Sequence, residues 1–235
     1  MRRLLIAIQL LSCIAFWAQA AAASPDPMVD VHMRLAFTGR PAQRALPVSV
    51  MWLVPVESTP PAPFVPTQHY TLLQKNRQFK PHLLVVPVGS IVEFPNKDPF
   101  FHNVFSLFDG KRFDLGLYEA GSTKSVTFSR EGVSYIFCNI HPEMSAVILT
   151  LSTNVYSVMD SSGTFHLAHV PAGSYEMHIW IEGTSQPVLD RMSHRVHVTA
   201  DSGDLGVIEA PPVLLKTEPH TNMYGQPYDR TAKPY

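Results

Sequence analysis

The sequence predicts an all-β protein built from two β-sandwiches. Three observations point there. The 235-residue chain carries 21 prolines spread along its length, and a proline inside a helix breaks it. The apolar runs are short, of strand length, and are separated by Gly, Pro, Asn and Asp, the punctuation of a sandwich or barrel. Several runs alternate apolar and polar residues, and none shows a helical stripe or an internal repeat. With 46% hydrophobic and 16% charged residues, the chain can fill one large core or two small ones.

The elements follow in order. Arg2 and Arg3 precede an apolar run from residue 4 to about 17, and then Ala18-Gln19-Ala20-Ala21. This reads as an export signal, residues 1–20, cleaved after Ala20. The run is shorter than the roughly 20 residues a membrane helix needs. Leu10-Leu11-Ser12 before Cys13 admits a lipidation reading, but the apolar run continues past that cysteine. Residues 29–37 and 47–56 read as strands around a turn at Gly39-Arg40-Pro41, and Ser58-Thr59-Pro60-Pro61-Ala62-Pro63 as an extended linker. From residue 68 the strands are 83–88, 91–94, 124–128, 133–138 and 145–151, with turns at Gly89, Pro95-Asn96 and Glu131-Gly132. A further all-β stretch reads as a hairpin, 155–159 and 164–167 around Asp160-Ser161-Ser162-Gly163. Strands 175–181, 195–199 and 205–208 follow. In the first of them Tyr175, Met177, Ile179 and Ile181 alternate with Glu176, His178 and Trp180. The tail 211–235 is polar and Pro-rich and is expected to be loose.

Charge and cysteine usage narrow the function. Without residues 1–20 the chain holds 16 of its 18 Lys and Arg against 19 Asp and Glu. No clustered basic face suggests nucleic acid, and no other segment is apolar enough to span a membrane. Cys13 leaves with the signal, so Cys138 is the single cysteine of an exported chain and cannot form an internal disulfide. A lone thiol in an oxidising compartment invites oxidation. Metal ligation would hold it as a protected thiolate.

The segment Tyr135-Ile136-Phe137-Cys138-Asn139-Ile140-His141-Pro142-Glu143-Met144 puts a thiolate, an imidazole and a thioether within seven residues at a strand end. A second imidazole must come from elsewhere. His102, in Asp98-Pro99-Phe100-Phe101-His102-Asn103-Val104, is the best candidate. Two imidazoles and a thiolate with a weak thioether are the donors of a blue-copper electron-transfer site. Singly, each of these residues would be ordinary core or surface. A binuclear copper site would need a second cysteine, a multicopper oxidase paired His-x-His motifs, and a structural zinc site more thiolates. His166, His169, His178, His194 and His197 read as solvated strand residues.

The stretch 68–152 resembles the cupredoxin family, and its ligand loop, Cys138-x-x-His141-x-x-Met144, is similar to that of amicyanin. Phe79-Lys80-Pro81, Val86-Pro87-Val88-Gly89, Val92-Glu93-Phe94-Pro95-Asn96 and His102-Asn103-Val104 carry the same resemblance. It implies a Greek-key β-sandwich holding one type 1 copper ion, bound strongly by His102, Cys138 and His141 and weakly by Met144. It also implies that Asn103 pins the ligand loop through hydrogen bonds and that the edge of His141 is the electron port. Asp160-Ser161-Ser162-Gly163-Thr164-Phe165 and Val170-Pro171-Ala172-Gly173-Ser174-Tyr175 resemble the carboxypeptidase-regulatory-like (transthyretin-like) sandwich. That resemblance implies a second unit, 29–56 with 153–210, around the first.

The expected function is a non-enzymatic, periplasmic or otherwise exported copper protein. It would pass single electrons between redox partners such as a c-type cytochrome or a periplasmic oxidoreductase. The alternative is a copper-binding protein for buffering or delivery of the ion.

Overall fold

The structure, a computed structural model, describes residues 27–39, 45–56, 69–107, 110–211 and 221–228. The export signal, the 58–63 linker and the turn residues Arg40 and Pro41 lie outside them. The described residues form 17 strands and one short helix, so the protein is all-β. No helix among them is long and apolar enough to cross a membrane.

In chain order the strands are β1 (Met28–Phe37), β2 (Ser49–Pro55), β3 (His69–Thr71), β4 (Leu73–Gln74), β5 (Phe79–Lys80), β6 (Leu83–Pro87), β7 (Ser90–Pro95), β8 (His102–Ser106) and β9 (Phe113–Tyr118). Then come β10 (Thr123–Phe128), β11 (Gly132–Phe137), β12 (Ser145–Leu151), β13 (Tyr156–Val158), β14 (Thr164–Pro171) and β15 (Gly173–Ile181). Helix α1 (Gln186–Met192), β16 (His194–Val198) and β17 (Asp204–Ala210) complete the order. The helix carries Pro187 in its first turn and buries Leu189 and Met192, a three-residue spacing too short to stand out as a stripe.

One sandwich sets the sheet β10-β7-β3 against the five-stranded sheet β6-β12-β11-β8-β9. Between them lies a core that includes Val92, Phe94, Val104, Phe128, Ile136 and Ile148. Sheets β14-β1-β17 and β13-β2-β15-β16 enclose Met33, Met51, Phe165, Met177 and Ile179, and β4 and β5 form a separate two-stranded sheet. Among the described residues, strand β2 pairs only with β13 and β15, and β1 only with β14 and β17.

Period two explains how the two cores meet. Along β12, Ala146 and Ile148 face the first core, while Val147, Leu149 and Leu151 face the second. Strand β6 splits in the same way, with Val86 on one side and Val85 on the other. This part of the five-stranded sheet is therefore apolar on both faces, which is why β12 reads as a nearly unbroken apolar run. His82, just before β6, reaches across to Glu182 at 2.7 Å, just past β15.

The 155–167 segment corrects one sequence reading. Strands β13 and β14 do not form a hairpin, because β13 pairs with β2 and β14 with β1. The connecting turn is tight, with the Asp160 carboxylate accepting the Ser162 and Thr164 N–H groups at 2.8 and 3.0 Å. The chain crosses between sheets because β1 offers β14 a better partner. In that register Phe165 lies opposite Met33 and Leu167 opposite Val31, so one apolar row completes the other.

The His82–Glu182 pair gives a prediction. Its hydrogen bond to Glu182 raises the His82 pKa above the ordinary 6.5. The pair's contribution is then full below pH 6.5 and disappears as the pH rises through the higher folded value. The Tm gap between the parent protein and His82→Gln is expected to be wider at pH 5.5 than at pH 8.5. A gap that widens with pH would contradict this assignment.

Candidate metal centre

Three donor-bearing side chains converge at one end of the first sandwich. His102 opens β8, Cys138 follows β11 directly, and His141 sits in the loop that leads to β12. Strands β11 and β8 are neighbours, with Phe137 opposite Phe105, so the cysteine and the first histidine start on adjacent strands. The loop then folds back. The Met144 N–H donates to the His141 carbonyl at 3.0 Å, and the Cys138 N–H to the Met144 carbonyl at 3.3 Å.

The Cys138 Sγ lies 3.8 Å from His102 Nδ1 and 3.7 Å from His141 Nδ1. One ligand atom from each of the three residues lies within 4.8 Å of the others. An ion bound at ordinary metal–sulfur and metal–imidazole lengths, with angles near trigonal, would set S and N about 3.7 Å apart. The donors are thus already spaced to share one ion. His102 and Cys138 are wholly buried and His141 is 6% exposed. Met144 is also wholly buried, and its backbone closes the loop beside the three donors.

The protonation states suit metal capture. Asp98 accepts the backbone N–H groups of Asn76 at 2.6 Å and Arg77 at 2.9 Å, and its Oδ2 lies 2.8 Å from His102 Nε2. Burial pushes the Asp98 carboxyl up, but these N–H groups and His102 outweigh it and hold the pKa below the ordinary 3.8. An ionised carboxylate only accepts hydrogen bonds, so His102 Nε2 is its donor and Nδ1 faces Cys138. A carboxylate behind a ligating histidine fixes its ring and raises its basicity. Burial, followed by the neighbouring His102, lowers the pKa of His141, which keeps that imidazole neutral. Burial raises the Cys138 thiol, against backbone N–H groups of Asn103, Ile140 and His141 that favour the thiolate. Uptake of an ion would release that thiol proton.

Asn103 ties the two halves of the centre together. Its Oδ1 accepts the Asn139 N–H at 3.3 Å, and its Nδ2 donates to Asp114 Oδ1 at 2.7 Å. Phe100 packs on both histidines, with ring centroids 5.2 Å from His102 and 5.6 Å from His141. The Arg77 guanidinium lies over the Phe100 ring, 5.3 Å from its centroid. The solvated histidines are elsewhere. His166 pairs with Asp160 and His178 stacks on Trp52.

Sequence reasoning missed Asp98 and the C-terminal segment. Asp98 lies four residues before His102, but that spacing signals contact only within a helix, and here the backbone is irregular. Of the tail, residues 221–228 are described, and they lie on the ligand loop. Tyr228 Oη donates to the Cys138 carbonyl at 2.7 Å, and the Met223 N–H to Asn139 Oδ1 at 3.0 Å.

No protein-family model and no curated protein matches the chain. Among solved structures it is similar to a purple cupredoxin from Nitrosopumilus maritimus, at 23% identity and a TM-score of 0.32, over 35% of this chain and 99% of that one. It is similar to amicyanin from Paracoccus versutus at 20% identity and a TM-score of 0.33, over 37% of this chain and 85% of that one. It is also similar to a Cu-containing nitrite reductase from Thermus scotoductus SA-01, at 25% identity and a TM-score of 0.34. That match covers 42% of this chain and 25% of the reductase. The chemistry of the centre is read from its own donor atoms: His102, Cys138 and His141 could hold one metal ion.

Proposed function

We propose that this chain is an exported copper protein of the blue-copper kind, which binds one ion and passes single electrons between redox partners. The observation that carries the reading is the buried convergence of two imidazole Nδ1 atoms on one thiol sulfur, at 3.8 and 3.7 Å. Soft sulfur with imidazole suits copper in both oxidation states. Bound copper would supply the one-electron Cu(I)/Cu(II) couple.

The chain's own residues would do the rest. His102, Cys138 and His141 would bind the ion, with Met144 as a weak fourth ligand. Asp98 orients His102, and Asn103 holds the loop that carries Cys138. Phe100 shields both histidines from water. A donor set held from several sides moves little when the charge changes, which favours fast transfer. In this reading the chain performs no bond chemistry of its own. The apolar run and the A-x-A site of residues 1–20 support export to the periplasm or beyond. A c-type cytochrome or a periplasmic oxidoreductase is the partner class proposed. The pairing of β2 with β13 and β15 supports 29–56 and 153–210 as one scaffold unit around the copper-binding stretch 68–152.

The test is to add Cu(II) to the metal-free protein and record the visible spectrum. An intense blue charge-transfer band at one equivalent is expected. A colourless protein would sink the reading. Stopped-flow reduction then separates the two roles, since slow electron exchange with ready copper release would point to buffering or delivery instead.

A further inference from the structure

The contacts of 221–228 are more than those of a tail lying on a surface. The segment is a closed turn. Asn222 Oδ1 accepts the N–H groups of Tyr224 and Gln226, both at 2.9 Å. The Asn222 N–H donates to the Gln226 carbonyl at 2.8 Å, and the Gly225 N–H to the Asn222 carbonyl at 2.9 Å. Gly225 has φ +75°, a left-handed conformation that glycine adopts without strain. The turn therefore holds its own shape and presents two groups inward, the Met223 N–H and the half-buried Tyr228 phenol. Tyr224 on its outer side is 73% exposed.

Both inward groups land on the metal-ligand loop, on consecutive residues. Tyr228 satisfies the carbonyl of the ligand Cys138, whose N–H is already used within the loop. Met223 satisfies the side chain of Asn139, whose own N–H is held by Asn103. A continuous line of hydrogen bonds thus runs from the turn through Asn139 and Asn103 to Asp114 on β9. The 138–144 loop is clamped from outside by the turn and from inside by Asn103.

We propose that residues 221–228 are a latch on the ligand loop, with Tyr228 as its positioning residue. The latch keeps the 138–144 loop closed and sets how fast reagents and ions reach Cys138. The part concerning ions rests on the copper reading above. The part concerning access to the thiol does not.

The experiment measures alkylation of Cys138 by iodoacetamide in the metal-free full-length protein, read by mass spectrometry of the peptide that carries it. Tyr228→Phe keeps the ring and removes only the donor. It is expected to speed alkylation about 3- to 10-fold, the factor one hydrogen bond commands. Asn222→Ala, which unlocks the turn, and a chain ended after Pro211 are expected to speed it about 10- to 100-fold, since both contacts are lost. The faster rates should stay flat in low denaturant, as local opening requires, rather than climb with the slope of global unfolding. In the copper-loaded protein, transfer of the ion to a chelator should quicken in the same order. Equal alkylation rates in the parent and the shortened chain would overturn the latch, and so would rates that track global unfolding. A protein that shows the alkylation differences but binds no copper would leave the latch standing and remove the copper reading.

Discussion

Cys138→Ser is expected to abolish the blue band altogether and to weaken copper binding more than 100-fold. The hydroxyl is nearly the same size as the thiol, so the change isolates chemistry from shape. A thiolate is the sulfur form that ligates metal, whereas a serine hydroxyl stays protonated at neutral pH and has no soft electron density to donate. Loss of partners behind a ligand typically costs about 10- to 100-fold in affinity, so loss of the ligand itself must exceed that range. The backbone N–H groups of Asn103, Ile140 and His141 that face the sulfur would serve the serine oxygen equally well. The variant should therefore fold, and its thermal unfolding without metal should stay close to that of the parent. Copper titration followed by absorbance and by competition with a chelator checks both parts. A Cys138→Ser protein that remains blue would require a different sulfur donor.

Asp98→Ala is expected to cost the metal-free protein about 3 kcal/mol, because a buried acceptor that serves three donors disappears. The Asn76 and Arg77 N–H groups and the His102 ring would all lose their partner, at a residue that is only 5% exposed. Asp98→Asn is expected to cost less, since one amide oxygen remains, but its NH2 group would face donors where the carboxylate had an acceptor. The sign of the pH dependence follows from the lowered carboxyl pKa. The stabilisation is present above the ordinary value of 3.8 and is lost as the pH falls through the lower folded value. Denaturant unfolding at pH 7 should show the full gap between the parent and Asp98→Ala, and the gap should close as the pH is lowered below 3.8. A constant gap down to pH 2 would mean that Asp98 acts by packing rather than by charge.

Much of the architecture could be read from period and punctuation. The runs that became β1, β2, β6, β7, β10, β11, β12 and β15 are apolar or alternating and are bounded by turn residues, so local sequence and tertiary burial agree. Other strands escaped notice for physical reasons. Strand β9 is broken in character by Gly116, at φ +64°, and Leu117 beside it is 59% exposed. Its ladder with β8 shifts register between Asn103 and Phe105. Strands β4 and β5 are two residues each, too short for any period to show. The β13–β14 misreading has another origin. A turn motif states that the chain reverses, but not whether the next strand returns to the same sheet.

The centre divides along the same line. His102, Cys138, His141 and Met144 stand out because their residue types are rare and their chemistry is particular. Asp98 and Tyr228 do not, because their roles depend on where other segments lie. Asp98 is fixed by backbone N–H groups from 21 and 22 residues away, and Tyr228 meets Cys138 across 90 residues. A carboxylate or a phenol in a polar stretch has no local mark of such contacts.

The sheet that is apolar on both faces bears on heredity as well as on folding. A stretch encoding only β3 to β12 would, if copied alone into another gene, yield a product with Val85, Val147, Leu149 and Leu151 turned outward as a sticky surface. Polar side chains in place of those four would make such a product less prone to stick. Substitutions on one side of that shared sheet are thus judged by what the other side can still cover.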